Sequence, residues 1–289
     1  MNENEYSQRF YYKYNDQEYK MYRCRCCLLV FWLPMDFYSE FYEKQLPEHE
    51  LLSMGYRDVP PQAKMFLSEF PVGKGTLLDV GCGDGAFVQQ AEKAGFDVRG
   101  IDMDEKLINA AKKIRGLNNV ETNLFLRFSR DQKEKFDFIT FFEVLEHQDA
   151  PVVFIANIIS ILKKGGIISG SVPNGERPFP NLHKATELGD FPPAHFTRWS
   201  AGSLKYLFEK AGFTKVVIIQ YGFENIWKMA DWLSSHMFNN YVQIVKKLFV
   251  NDKNRAALSF EAIKTTEAPY KIIIMSLLRG ISNILVLPL

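Results

Sequence analysis

TLLDVGCGDGAF, residues 76–87, sets a short apolar run, a glycine-dense turn and a helix start in immediate succession. Thr76 to Val80 reads as a buried strand, and Gly81, Gly83 and Gly85 let the backbone turn tightly and approach a ligand as no Cβ-bearing residue could. The pattern predicts a nucleotide-cradling loop at a strand's carboxyl end. GIDMD, residues 100–104, then closes a second strand, Asp97 to Ile101, with Asp102. Its separation from the first glycine is about that at which an acid grips ribose hydroxyls.

Glycines alone do not name the ligand. Gly81, Gly83 and Ala86 also satisfy the G-x-G-x-x-G/A pattern, so a nicotinamide or flavin dinucleotide competes with S-adenosylmethionine. The carboxylates decide between them. Asp79 ends the strand and Asp84 lies inside the loop, where a pyrophosphate would bring negative charge against both. S-adenosylmethionine carries no phosphate. Its ammonium and sulfonium groups favour Asp79, and its carboxylate can use the loop amides and the following helix N-terminus.

Together the two motifs resemble the class I S-adenosylmethionine-dependent methyltransferases. FDFITFFEVLEH (residues 136–147) and PPAHFTRWS (residues 192–200) resemble the branch that includes quinone-biosynthesis and sugar-modifying methyltransferases. The likeness covers residues 60 to 222. It implies an α/β fold with a doubly wound, mostly parallel, Rossmann-like sheet, S-adenosyl-L-methionine as cofactor, and methyl transfer to a small-molecule hydroxyl, sugar or phenolic acceptor. The implied cofactor residues are Asp79, Gly81, Gly83 and Asp102, with Met103 against the adenine. Asn123 stands where relatives have an Asp reaching the adenine amino group, and Phe142 would present backbone to the methionine part.

Methylating a hydroxyl requires loss of its proton, a task suited to histidine. His147 follows the fourth strand and His195 lies in the loop after the fifth, so both are candidate catalytic residues; each could instead hold its own loop. Some relatives use an E-x-x-E-H motif for a divalent cation, which here would be Glu143, Glu146 and His147. A glutamate near a helix start is equally explained by the macrodipole, and no metal ligand is assigned. An NAD-dependent oxidoreductase and a non-catalytic S-adenosylmethionine-binding scaffold are the alternative readings.

The 35 basic residues are dispersed among 34 acidic ones, for a net charge of +1, which argues against a nucleic-acid partner. The N-terminus lacks the basic-then-apolar order of a secretory signal, and the 4 cysteines make no disulfide framework, so a cytoplasmic location is expected.

Helices punctuated by Gly95, Gly116, Gly165 and Gly212 alternate with strands, and Asp104 and Ser200 or Ser203 read as N-caps. The fifth strand is placed at Ile167 to Val172 and the sixth at Lys215 to Tyr221. Residues 1–48 form a first segment. Its stretch Tyr22 to Phe41 resembles half of a zinc ribbon, with Cys24 and Cys27 as a C-x-x-C pair but no partner pair, so a metal-free β-ribbon packed on the catalytic domain is expected. Residues 49–222 are the methyltransferase domain. Residues 223–289 are read as a helical C-terminal extension, with an apolar stripe from Ile226 to Leu248 and an apolar run over 270–289 suited to a peripheral membrane or homodimer contact. No segment there presents itself as the seventh, antiparallel strand.

Overall fold

The computed structural model describes residues 6–14, 16–36, 58–132, 134–176, 191–221 and 283–287. Up to Gly175, and with Phe191–Tyr221 and Asn283–Leu287, they form one compact unit. Three strands open it: β1 (Tyr6–Tyr14), β2 (Gln17–Cys24) and β3 (Val30–Leu33). Then come α1 (Pro61–Glu69), β4 (Thr76–Val80), α2 (Ala86–Ala94), β5 (Asp97–Asp102), α3 (Glu105–Arg115), β6 (Val120–Thr122), the short α4 (Phe125–Phe128) and β7 (Phe136–Phe142). The chain continues through α5 (Pro151–Ile161), β8 (Leu162–Pro173), β9 (Thr197–Arg198), α6 (Ala201–Lys210), β10 (Val217–Tyr221) and β11 (Asn283–Leu287).

The seven-stranded sheet runs in the order β10-β11-β8-β7-β4-β5-β6. The five strands from β8 to β6 are mutually parallel. The chain works outward from β4 to one side through β5 and β6 and to the other through β7 and β8, so a crevice opens at the carboxyl ends beside β4, the usual ligand position in such sheets. Side-chain alternation along β4 feeds two cores. Leu77 packs with Phe66, Phe87, Val98 and Ile108, whereas Leu78 and Val80 pack with Ile101, Ile139, Phe154 and Ile158.

The expected caps form. Asp104 accepts the Lys106 amide hydrogen, Gly95 and Gly116 close their helices in the left-handed conformation, and Ser200 and Ser203 make a reciprocal capping box. Two boundaries differ. Helix α5 stops at Ile161 instead of reaching Gly165, because Leu162 is already extended and pairs with Phe136. Lys163 then bridges Asp137 at 2.8 Å, which fixes the early start of β8.

A seventh, antiparallel strand, for which the sequence offers no clear candidate, is present. Asn283–Leu287 pairs antiparallel with both β10 and β8, as Ile284↔Val172 and Ile218↔Val286. NILVL carries the β-branched Ile284 and Val286 and is bounded by Gly280, Ser282 and Pro288, signals overshadowed by the longer apolar run over 270–289. The Ile226-to-Leu248 stripe and the rest of the 270–289 run, save 283–287, lie outside the described residues. Among the described residues no helix is long and apolar enough to cross a membrane.

The N-terminal strands make a second sheet, β1-β2-β3-β9, whose last strand belongs to the PPAHFTRWS segment. Trp32 is fully buried against Phe191 and Phe196, its amide donates to the Phe196 carbonyl at 3.0 Å, and the Arg198 guanidinium lies over the Trp32 and Phe191 rings at 4.9 and 4.8 Å. The ribbon is therefore the backing of the segment that carries His195.

Candidate functional site

The glycine loop is held by its neighbours. Gly81 and Cys82 donate to the Ile101 carbonyl at 2.8 and 3.0 Å, tying the loop to β5. Gly81 and Gly83 adopt φ of 75° and 54°, which favours glycine. A Cβ on Gly81 would strike Val144, whereas one on Gly83 would meet nothing within 4 Å, so bare backbone faces open space there.

Asp102 does more than wait for a ligand. One carboxylate oxygen accepts the Gly83 amide at 2.8 Å and the other accepts the Asp104 amide at 2.9 Å, so the acid also fixes the loop. Burial raises its pKa, against the lowering effect of the Asp104, Gly83 and Met103 amides. Asp79 is 3% exposed and accepts a 2.7 Å hydrogen bond from Thr140. Burial pushes its carboxyl up to about 7; the Thr140 bond opposes this and the Asp102 charge adds to it. A cationic ligand group arriving here would meet an acid ready to ionise.

Asp84 does not serve as the sequence suggests. Its side chain is nearly covered and pairs with the buried Arg115 at 2.9 Å, and Arg115 also donates to the Asp84 carbonyl at 2.8 Å. The pairing offsets its charge, so Asp84 gives little discrimination against phosphate; Asp79 and Asp102 carry that argument.

Beside the loop lies a cavity of about 530 Å³. Gly81, Asp102, Met103 and Asn123 line it, as do Arg127 and Arg130, two cations that stand in α4 and the 3₁₀ turn Ser129–Asp131, elements too short to show periodicity. Phe142 is absent from this lining. Its ring packs edge-on against Phe87 at 5.2 Å, and the wall continues instead through Glu143 and Val144.

At the cavity's other end the chain after β7 turns sharply. Glu143 has φ 56° and accepts a 2.6 Å hydrogen bond from Ser171. The 3₁₀ turn Leu145–His147 buries Glu146 to 1% exposure. Neither Glu146 carboxyl oxygen reaches another residue's donor among the described residues. Burial and the Glu143 charge hold its pKa well above the usual carboxylate range.

Both candidate histidines converge on this carboxyl group. His147 Nε2 lies 3.8 Å and His195 Nε2 3.9 Å from the same Glu146 oxygen. The convergence is built from backbone, since Phe196 donates its amide to the Glu146 carbonyl at 2.9 Å. His147 Nδ1 sits 2.8 Å from the Ala194 carbonyl, so that nitrogen carries the proton and Nε2 is the acceptor. Burial pushes the His147 pKa down to about 3, helped by His195 and opposed by the Ala194 carbonyl. His147 lines the cavity, and His195 packs edge-on behind it.

The metal motif considered from sequence is thus rearranged. Glu146, His147 and His195, rather than Glu143, bring one ligand atom each within 4.8 Å of one another, a donor set that a divalent or transition-metal ion could use. His195 could not be found from the motif because it lies in a different segment of the chain.

A likeness to known proteins agrees with this geometry. The chain is 32% identical over 149 residues to the ubiquinone biosynthesis O-methyltransferase of Coxiella burnetii, covering 45% of this chain and 64% of that protein. The chain therefore spans less than two thirds of such a relative. In fold it is similar to an S-adenosylmethionine-dependent methyltransferase from Archaeoglobus fulgidus, with a TM-score of 0.53 and 18% identity over 87% of this chain and 99% of that one. It is also similar to Haemonchus contortus phosphoethanolamine N-methyltransferase 2, solved with S-adenosyl-L-methionine, with a TM-score of 0.58 and 14% identity over 96% of this chain and 70% of that one. The methyltransferase domain family matches residues 50–218, more than half of the sequence, and the chain belongs to that family.

Proposed function

We propose that the protein is an S-adenosylmethionine-dependent O-methyltransferase acting on a hydroxyl of a small molecule. The observation that carries this reading is Asp102, bound to the Gly83 amide, lining the same cavity as His147. The residues fit the cofactor: Asp102 for ribose hydroxyls and Met103 and Asn123 for adenine on the cavity lining, and, next to that lining along the chain, the bare backbone at Gly83 and the buried Asp79 as a counter-charge for the ammonium group. In this reading residues 49–222 are the catalytic domain and residues 1–48 its ribbon.

The bound cofactor supplies an activated methyl group, which leaves this chain to orient the acceptor, exclude water and take a proton. His147 takes it at Nε2, the ring nitrogen left as acceptor once Nδ1–H is committed to Ala194. Glu146 stands behind that nitrogen, 3.8 Å away, whereas His195 disfavours a positive charge on it. Methyl transfer from labelled cofactor to a panel of phenols, catechols and sugars tests the reading. Labelled product that is lost in His147→Ala supports it, and label appearing only on amines or on protein would overturn it.

A further inference from the structure

We propose that Cys24 and Cys27 form a redox-reactive pair that a hydroperoxide, such as hydrogen peroxide, closes into an intrachain disulfide. Residues 24–29 make a knuckle in which Cys24 donates its amide to the Leu29 carbonyl at 2.8 Å and Leu28 donates to the Cys24 carbonyl at 3.1 Å. Leu28 takes the left-handed conformation, φ 64°, that folds the chain back. The fold-back aims the amides and thiols of Cys27 and Cys26 at the Cys24 sulfur, and the Leu29 amide at the Cys27 sulfur.

The two sulfurs are unequal. Burial raises the Cys24 pKa, but the amides of Cys27 and Cys26 outweigh it and the thiol ends below its ordinary value. Cys27 ends above its ordinary value, with burial the largest cause. One sulfur is suited to attack, the other to wait as a thiol. Both are half-buried, whereas Cys26 is exposed and Cys82 is buried in the glycine loop.

The chemistry closes without further reagents. The Cys24 thiolate attacks the peroxide O–O bond, an S–O bond forms, and hydroxide leaves. Cys27 sulfur then displaces the sulfenic oxygen as water once its own proton is transferred, forming the S–S bond. Two thiols are oxidised and one peroxide is reduced to two waters.

The test uses full-length protein, reduced, freed of reductant and exposed to hydrogen peroxide, with remaining thiols alkylated and the peptides mapped by mass spectrometry. The expected product is a Cys24–Cys27 bond with Cys26 and Cys82 alkylated. In Cys27→Ser, dimedone should label Cys24 roughly tenfold faster than it labels Cys27 in Cys24→Ser, in proportion to their thiolate character. A bond mapped to Cys26, disulfide-linked dimers as the main product, or equal labelling of the two variants would overturn the proposal. So would purified protein carrying stoichiometric zinc whose thiols resist peroxide, because the knuckle would then be a metal site.

Discussion

The imidazoles of His147 and His195 meet edge to face with ring centroids 4.6 Å apart, and both present Nε2 to one oxygen of Glu146. The segments that carry them are clamped by the Phe196 amide on the Glu146 carbonyl. A proton accepted by His147 from the cavity therefore has a second imidazole and a carboxyl group at hand, while Glu146, with its pKa raised, favours its neutral form.

The first prediction concerns pH. His147 is charged only below about 3, so at saturating cofactor the turnover number should stay flat from about pH 5 to 8, with no limb near the ordinary imidazole value. His147→Ala should lower turnover roughly 100-fold and leave S-adenosylmethionine affinity unchanged. His195→Ala should lower it less, because His195 acts through His147. A wild-type limb near pH 6.5 that vanishes in His195→Ala would assign the proton to His195 instead.

Cofactor affinity should show a pH dependence that turnover lacks. Asp79, with its carboxyl pushed up to about 7, is largely protonated in acid, and a bound ammonium favours its ionised form. Binding should therefore release a proton, and affinity should fall as pH drops below about 7. Asp79→Asn should abolish that slope and weaken binding by roughly 1.5 to 3 kcal/mol. Calorimetry in buffers of different ionisation enthalpy reads the proton release directly.

Glu146 should limit stability. Its raised pKa means that the folded state binds its proton more tightly than the unfolded chain, so its contribution is favourable in acid and declines as pH rises above the unfolded value near 4.5. Glu146→Gln should leave thermal stability unchanged near pH 4 and raise it at pH 8, by about 1 kcal/mol or more. The same variant should lose activity. A uniform Tm shift across pH would remove the titration argument.

Much of this was legible in the sequence because it was local. The β4–glycine–α2 succession, the caps at Asp104 and Ser200, and Asp102 each rest on a few consecutive residues whose chemistry has one reading. What the sequence hid was pairing across distance. Asp84 reads as a loop acid until Arg115, at the far end of α3, covers it, and Glu143 reads as the partner of Glu146 until its carboxylate is found bound to Ser171. The strand 283–287 is short and follows a longer apolar run, and its place between β10 and β8 is a tertiary choice.

The ribbon should matter for turnover although it lies outside the cavity. Trp32→Ala removes a fully buried ring from behind Phe191, Phe196 and Arg198, and should destabilise the protein by about 3 to 5 kcal/mol. Below its melting range the variant should keep cofactor affinity and lose turnover, since the missing ring leaves Phe191 and Phe196, which flank His195, without their backing. Equal losses in binding and turnover would mean that the ribbon supports the whole fold instead.

The central claim is that the cavity beside Asp102 binds S-adenosylmethionine. Titration calorimetry of the purified protein with S-adenosylmethionine, and separately with NADH, tests it most directly. One saturable site for S-adenosylmethionine, weakened roughly 10-fold or more in Asp102→Ala, with no heat from NADH, is the predicted result. Saturable NADH binding that depends on Asp102, with none for S-adenosylmethionine, would contradict it.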